Sequence, residues 1–217
     1  MNAIPAPDGG EAATIEMWFD FASPYSYLSL ARLPQLARAA GVRVALRPFL
    51  LGPVFQAQGW SDTPFRLYPK KGAYIVRDVE RLAEKHGVPY RWPSAFPRVG
   101  LLPSRVALLV EHEPWAPAFC LDIFRTNFVD DRDIQAEDTV RGVLRALSQD
   151  DEALVAQARS DVAKQALRRR VDEALQRGIF GAPTFMVGDE MFWGNDRLED
   201  ALAWAVRPGT RQPGSNQ

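Results

Sequence analysis

The sequence predicts an α/β fold in which one small sheet domain is interrupted by a long all-helical insertion. Three observations carry this. Residues 14–49 pass from strand-like to helix-like texture and back; residues 53–177 show amphipathic helical periodicity with no strand-like alternation; strand texture returns after Gly178, followed by one last helix. The sheet domain is therefore expected at 14–52 and 178–207, and the helical insertion at 53–177. The Pro/Gly/Ala-rich start, 1–13, and the tail, 208–217, are expected to be disordered.

The elements follow in order. TIEMWFD (14–20) is an apolar, aromatic run of strand length. From Pro24 to Ala40, Leu28, Leu33, Leu36 and Ala37 fit a helix, with a kink or break expected at Pro34 and a stop at Gly41. VRVALRPF (42–49) alternates as a second strand. The stretch LGPVFQAQGWSDTPFRLYPKKG, from Leu51, is loop-like with room for short helices. Helical segments are expected at 71–86, 102–112, 115–128, 136–147 and 159–177. GAPTFMVGDEMFWGND then reads as two short strands turning at Gly188-Asp189. Asp196 opens a final helix with Leu198, Leu202 and Val206 on one stripe.

Bulk composition excludes several classes. The 217 residues are 47% hydrophobic, enough for a proper core, and their net charge of −1 gives no footprint for nucleic acid or an anionic membrane. The start, MNAIPAPDGGEAAT, lacks the cationic and apolar regions of a signal peptide, and no apolar run reaches the length of a membrane span. A soluble, cytoplasmic protein is expected. Cys120 is the only cysteine, so neither an internal disulfide nor Cys-x-x-Cys redox chemistry is possible. His86 and His112 are far apart with no cysteine pair, so no metal site is expected; His86, before Gly87, is read as a structural cation at a helix end.

Chemistry concentrates in FDFASPYSYL (19–28). Ser23 before Pro24 is, taken alone, a helix cap with proline at the first helical position. Its place directly after the first strand, and the presence of Ala182-Pro183 in GAPTF ahead of the third, point further. Lys71, Tyr74, Asp78 and Arg81 recur at i, i+3, i+7 and i+10, one stripe of a helix. Such stripes are ordinarily solvated faces.

Taken together and in this order, FDFASPYSYL, KGAYIVRDVER, FGAPTF and GDEMFWGNDRL resemble the 2-hydroxychromene-2-carboxylate isomerases and kappa-class glutathione transferases, DsbA-like members of the thioredoxin superfamily. The resemblance spans about 14–206. It implies a thioredoxin-like (DsbA-like) domain carrying a large inserted helical domain, with glutathione as cofactor. Ser23 then stands where the superfamily keeps its nucleophilic cysteine. Its hydroxyl would hydrogen-bond a glutathione thiolate that also feels the helix N-terminus. A cysteine there would form a mixed disulfide instead. Ser26, at the second cysteine position, is expected to be structural, and Tyr25 and Tyr27 to be packing groups.

The resemblance also implies that Ala182, joined to Pro183 by a cis bond, offers its backbone to the cysteinyl part of glutathione. Trp193, Gly194, Asn195 and Asp196 would hold the γ-glutamyl end, with Asp196 meeting the ammonium; Asp196 could equally cap the last helix. On the substrate side it implies Lys71 against a carboxylate, Tyr74 beside it, an orienting Asp78/Arg81 pair, and the loop residues Phe96, Pro97 and Arg98. Val99 departs from the family there, where asparagine is common. The implied reaction converts 2-hydroxychromene-2-carboxylate, or a close analogue, to trans-o-hydroxybenzylidenepyruvate through a transient glutathione thiolate adduct. This places a homodimeric enzyme in aromatic-compound catabolism, acting on a small aromatic carboxylate. Two alternatives stand beside it: a kappa-type transferase or peroxidase on other electrophiles, and a catalytically silent DsbA-like module binding peptide at the Ala182-Pro183 edge.

Overall fold

TIEMWF forms the inner strand β1 (Thr14–Phe19) of a computed structural model that describes residues 12–207. Both sides of the strand are covered. Ile15, Met17 and Phe19 enter the main core, while Trp18 enters a second one with Phe49, Val54, Ile179 and Met186. β1 pairs in parallel with β2 (Arg43–Pro48) and antiparallel with β3 (Thr184–Val187), which pairs antiparallel with β4 (Glu190–Trp193). The order is β2-β1-β3-β4, so strands from the two ends of the chain share one mixed sheet. At the β3–β4 turn Gly188 takes φ 60°, the left-handed conformation a tight hairpin needs. Most of the two segments expected to be disordered lies outside the described residues. Ala13 is described, and its carbonyl accepts from Arg43 N–H at 2.7 Å.

α1 (Pro24–Ala40) connects β1 to β2 and ends at Gly41, φ 67°. The break expected at Pro34 does not occur. Pro34 lies on the exposed side, while Leu33 and Ala37 hold the helix in the core on either side of it. The chain then runs through α2 (Leu51–Ala57), α3 (Pro64–Leu67), α4 (Pro69–His86), α5 (Leu101–Leu109), α6 (Ala116–Phe128), α7 (Glu137–Ala146), α8 (Asp151–Arg159) and α9 (Asp161–Gln176). The helix expected at 159–177 is α9, and α8 precedes it unforeseen. One residue separates them: Ser160 is extended, ending α8, and its Oγ accepts from Ala163 N–H to cap α9.

After β4, Asn195–Arg197 make a single 3-10 turn before α10 (Leu198–Ala205). The buried stripe of α10 is Leu198, Ala201, Leu202 and Ala205. Val206 is not part of it, because it falls beyond the helix and is exposed.

Helices cover both faces of the sheet. α1, α6 and α10 carry the main core, and α2 and α9 supply Val54, Val171 and Ala174 to the second. The helical stretch shares the core of the sheet: Phe124 of α6 packs between Phe19 and Phe21 on one side and Tyr27 and Phe128 on the other. Among the described residues no helix is long and apolar enough to cross a membrane, and no cluster of three or more His, Cys, Asp or Glu side chains is placed to hold a metal.

Candidate functional site

Ser23 caps α1 where β1 ends. Its Oγ accepts from Ser26 N–H at 3.2 Å and donates to the Ala182 carbonyl at 3.1 Å. Two motifs 159 residues apart thus meet through one hydroxyl. The Ala182-Pro183 bond is cis, as expected. Neither Ala182 N–H nor Tyr25 N–H, in the first turn of α1, has an acceptor among the described residues. The junction therefore presents a hydroxyl, a helix N-terminus and the open Ala182 N–H together.

The third motif is tied to the same place. Gly194 N–H donates to the Pro183 carbonyl at 2.9 Å. The half-exposed Trp193 ring rests against Phe180 and over Gly181, where a Cβ would fall 2.3 Å from Trp193 Nε1. Asn195 is buried, its Oδ1 accepting from Ser29 Oγ at 2.9 Å, so its side chain anchors the turn to α1. Asp196 makes no capping bond; its side chain is 74% exposed and pairs with the neighbouring Arg197 at 3.5 Å. The capping alternative is not adopted.

The α4 stripe is assembled around Asp78. Tyr25 Oη donates to Asp78 Oδ2 at 2.8 Å, Arg81 donates to Oδ1 at 3.2 Å, and the Arg81 guanidinium lies over the Tyr74 ring. Burial, helped by the Asp78 charge, pushes the Tyr25 phenol upward, so it serves as a neutral donor. The ring packs against Leu28, Val79 and Ala83, as expected of a packing group, and its hydroxyl also joins the Ser23 helix to α4. Tyr74 is 61% exposed. Lys71 is exposed too, and among the described residues no carboxylate pairs with it.

The loop before α5 differs most from expectation. Phe96-Pro97 is a second cis bond, and Phe96 and Pro97 are half-buried. Arg98, expected at the pocket, is buried. It donates to Asn127 Oδ1 at 3.2 Å and Asp131 Oδ1 at 2.6 Å, because a guanidinium out of water needs fixed acceptors. Asn127 Nδ2 in turn donates to the Phe21 carbonyl at 3.1 Å, which ties this loop to the segment just before Ser23. Phe96 also meets two rings that the sequence reading passed over, Phe65 and Trp92. His86 is not the expected cation, since partial burial and Arg32 lower its pKa.

Asp20 is the other residue missed; the only cue was an acidic side chain at the end of a buried strand. Its Oδ1 accepts from Ala22 N–H at 2.8 Å and its Oδ2 from Leu51 N–H at 2.7 Å, while its carbonyl accepts from Ser23 N–H at 2.9 Å. It thus fixes the Ser23 turn and the start of α2 at once. No cation among the described residues pairs with it, and burial raises its pKa against the pull of the two N–H groups. A folded-state pKa above the unfolded value contributes stability that is full below the ordinary carboxylate range and is lost as pH rises through the raised value. In urea unfolding at stepped pH, the stability of the wild type relative to Asp20→Asn is therefore expected to fall with rising pH and then level off. A difference that grew with pH would show that the fold favours the Asp20 anion.

Comparison with known proteins agrees with this fold. The model of the DSBA-like thioredoxin domain matches residues 14–203. The 2-hydroxychromene-2-carboxylate isomerase of Sphingobium xenophagum is 33% identical over 86% of this chain and 94% of its own. Glutathione S-transferase kappa 2 of Caenorhabditis elegans is 26% identical over 89% and 92%. A solved 2-hydroxychromene-2-carboxylate isomerase superposes with a TM-score of 0.80 at 28% identity, over 88% of this chain and 94% of the other. The chain belongs to the DSBA-like thioredoxin domain family, in the branch that holds the 2-hydroxychromene-2-carboxylate isomerases and the kappa-class glutathione transferases.

Proposed function

We propose that this enzyme is a glutathione-dependent isomerase of 2-hydroxychromene-2-carboxylate or a close analogue. One observation carries the reading: the Ser23 hydroxyl caps a helix N-terminus and touches the backbone of the residue before a cis-proline. The relatives named isomerases support the reaction type, and the kappa-class relatives support the thiol.

The residues fit glutathione. Ser23 Oγ–H and the free Tyr25 N–H converge at a helix N-terminus, which suits a sulfur anion. Ala182 N–H suits the cysteinyl amide carbonyl, and the exposed Asp196 carboxylate suits the γ-glutamyl ammonium. When bound, glutathione supplies a thiolate nucleophile that adds reversibly to the conjugated substrate. The Ser23 hydroxyl donates its proton toward the Ala182 carbonyl. Turning that proton toward a stronger, anionic acceptor releases the carbonyl to accept an amide N–H from the ligand, so one rotation arms both contacts. Lys71, unpaired among the described residues, meets the substrate carboxylate, with Tyr74 beside it.

Titration calorimetry with reduced glutathione tests the reading. Binding is expected, and Asp196→Ala should weaken it about two- to five-fold, the range for an exposed ion pair. No binding at millimolar glutathione would replace the proposal with a peptide-binding module. Glutathione binding without turnover of the chromene would favour a kappa-type transferase.

A further inference from the structure

The turn that delivers Ser23 to α1 is gripped from two sides. Asp20, Phe21, Ala22 and Ser23 form a turn closed by Ser23 N–H, which donates to the Asp20 carbonyl at 2.9 Å. The peptide between Phe21 and Ala22 is the middle of that turn. Its N–H donates to Asp20 Oδ1 at 2.8 Å, and its oxygen, the Phe21 carbonyl, accepts from Asn127 Nδ2 at 3.1 Å. A planar peptide held at both its hydrogen and its oxygen cannot tilt, so the chain enters the helix at one angle. Ser23 Oγ has little tolerance for any other. Its bonds, 3.1 Å to the Ala182 carbonyl and 3.2 Å from Ser26 N–H, lie at the long end of their ranges, and a shift of about half an ångström breaks them.

Asn127 is itself held in one orientation. It is fully buried on α6, where an unpaired amide is costly. Arg98 Nη1 donates to its Oδ1 at 3.2 Å. A guanidinium only donates and a carbonyl only accepts, so one placing of the amide satisfies both Arg98 and Phe21. Arg98 is buried in turn, and donates to the Asp131 carboxylate at 2.6 Å and to the Asp131 carbonyl at 3.3 Å. Asp131 takes φ 56°, a left-handed conformation uncommon outside glycine, and also accepts from Ser94 N–H at 2.8 Å. Hydrogen bonds thus run unbroken from the segment after α6 to the Ser23 turn. Adhesion alone does not call for them. The Phe21 ring is already anchored by Phe19 and Phe124, and Gly100 leaves no room beside it. Apolar packing is non-directional and fixes no peptide plane, whereas hydrogen bonds do.

We infer that Asn127, oriented by Arg98 and Asp131, is a positioning residue for Ser23: it holds the Phe21–Ala22 peptide so that the Ser23 hydroxyl stays aimed at the glutathione sulfur. The inference deepens the isomerase reading and rests on it for the identity of the thiol. Fully buried, Asn127 acts through the turn and not on a ligand.

Asn127→Asp tests this, because a carboxylate keeps an acceptor for Arg98 and turns the donor facing Phe21 into a second acceptor. Two readouts are taken against Val155→Ala, a core truncation on α8 that controls for lost stability. Without glutathione, hydrogen exchange of Ser26 N–H, which Ser23 Oγ caps, should quicken at least tenfold beyond the control. With glutathione, the bound thiol pKa should rise and kcat should fall about three- to thirtyfold, less than on losing the hydroxyl, while KM for glutathione stays within about twofold. In a Ser23→Ala background Asn127→Asp should move the thiol pKa no further, since its effect passes through that hydroxyl. Arg98→Lys keeps a cation for Asp131 but loses the fork that also reaches Asn127. It should move both readouts the same way by less, and it decides the matter if Asn127→Asp does not fold. In a protein that binds glutathione, control-like behaviour in either readout would overturn the inference, as would an effect that persists in full without the Ser23 hydroxyl. A wild type that binds no glutathione would sink the isomerase reading, and Ser26 exchange alone would then decide the positioning role.

Discussion

Ser23→Ala should slow isomerisation by about one to three orders of magnitude, the range for removing one donor aimed at a developing or resident anion. It should also raise the pKa of the bound glutathione thiol, read from ultraviolet thiolate absorbance against pH. Activity should not vanish, because the free Tyr25 N–H and the α1 N-terminus remain. The change has a structural component that must be separated. Ser23 Oγ also caps Ser26 N–H, and losing such a cap costs about 1 kcal/mol. That loss lowers the melting temperature and does not move a thiol pKa. Ser26 supplies the control. Its hydroxyl is fully buried and has no hydrogen-bond partner among the described residues, so Ser26→Ala deletes an unsatisfied group and should leave turnover nearly unchanged. Ser23→Cys should trap glutathione as a mixed disulfide under mild oxidant, visible by intact mass. Full activity in Ser23→Ala together with an inactive Ser26→Ala would reverse the roles within SPYS.

What the sequence made legible was local chemistry with a strong pattern behind it. The TIEMWF strand, the Gly188 turn and the SPYS and GAPTF loops each combine apolar texture with residues that admit few backbone choices. What it hid depends on tertiary partners. Nothing in Asp20 itself says that its carboxylate reaches Leu51 across the β2–α2 junction. Arg98 reads as a pocket cation until Asn127 and Asp131, about thirty positions on, enclose it. The Ser160 boundary was readable in principle, as a serine followed by aspartate is a cap signature, but the charged run on either side masked it. Pro34 failed as a breaker because core contacts on both sides outweigh the cost of a proline in the helix interior.

The other large effect belongs to Phe124. Its ring is fully buried, with centroids 5.0 Å from Phe21, 5.7 Å from Phe19 and 6.0 Å from Tyr27, so it joins α6 to the strand and helix that frame Ser23. Phe124→Ala removes most of a large side chain from a site whose neighbours are themselves rigid rings, which limits collapse into the space. The expected cost is about 3–5 kcal/mol. In a chain of this length each kcal/mol lowers the melting temperature by about 2–4 °C, so the shift should be roughly 6–20 °C. Phe124→Leu keeps much of the volume and should recover the greater part. Because the helical stretch and the sheet share this core, the variant should still unfold in one transition, with near- and far-ultraviolet circular dichroism coincident. Two separated transitions would mean that the helices fold as an independent body. In that case Phe124 would lie at an interface, and its loss should loosen the Ser23 junction first, lowering glutathione affinity at temperatures where the helices remain intact.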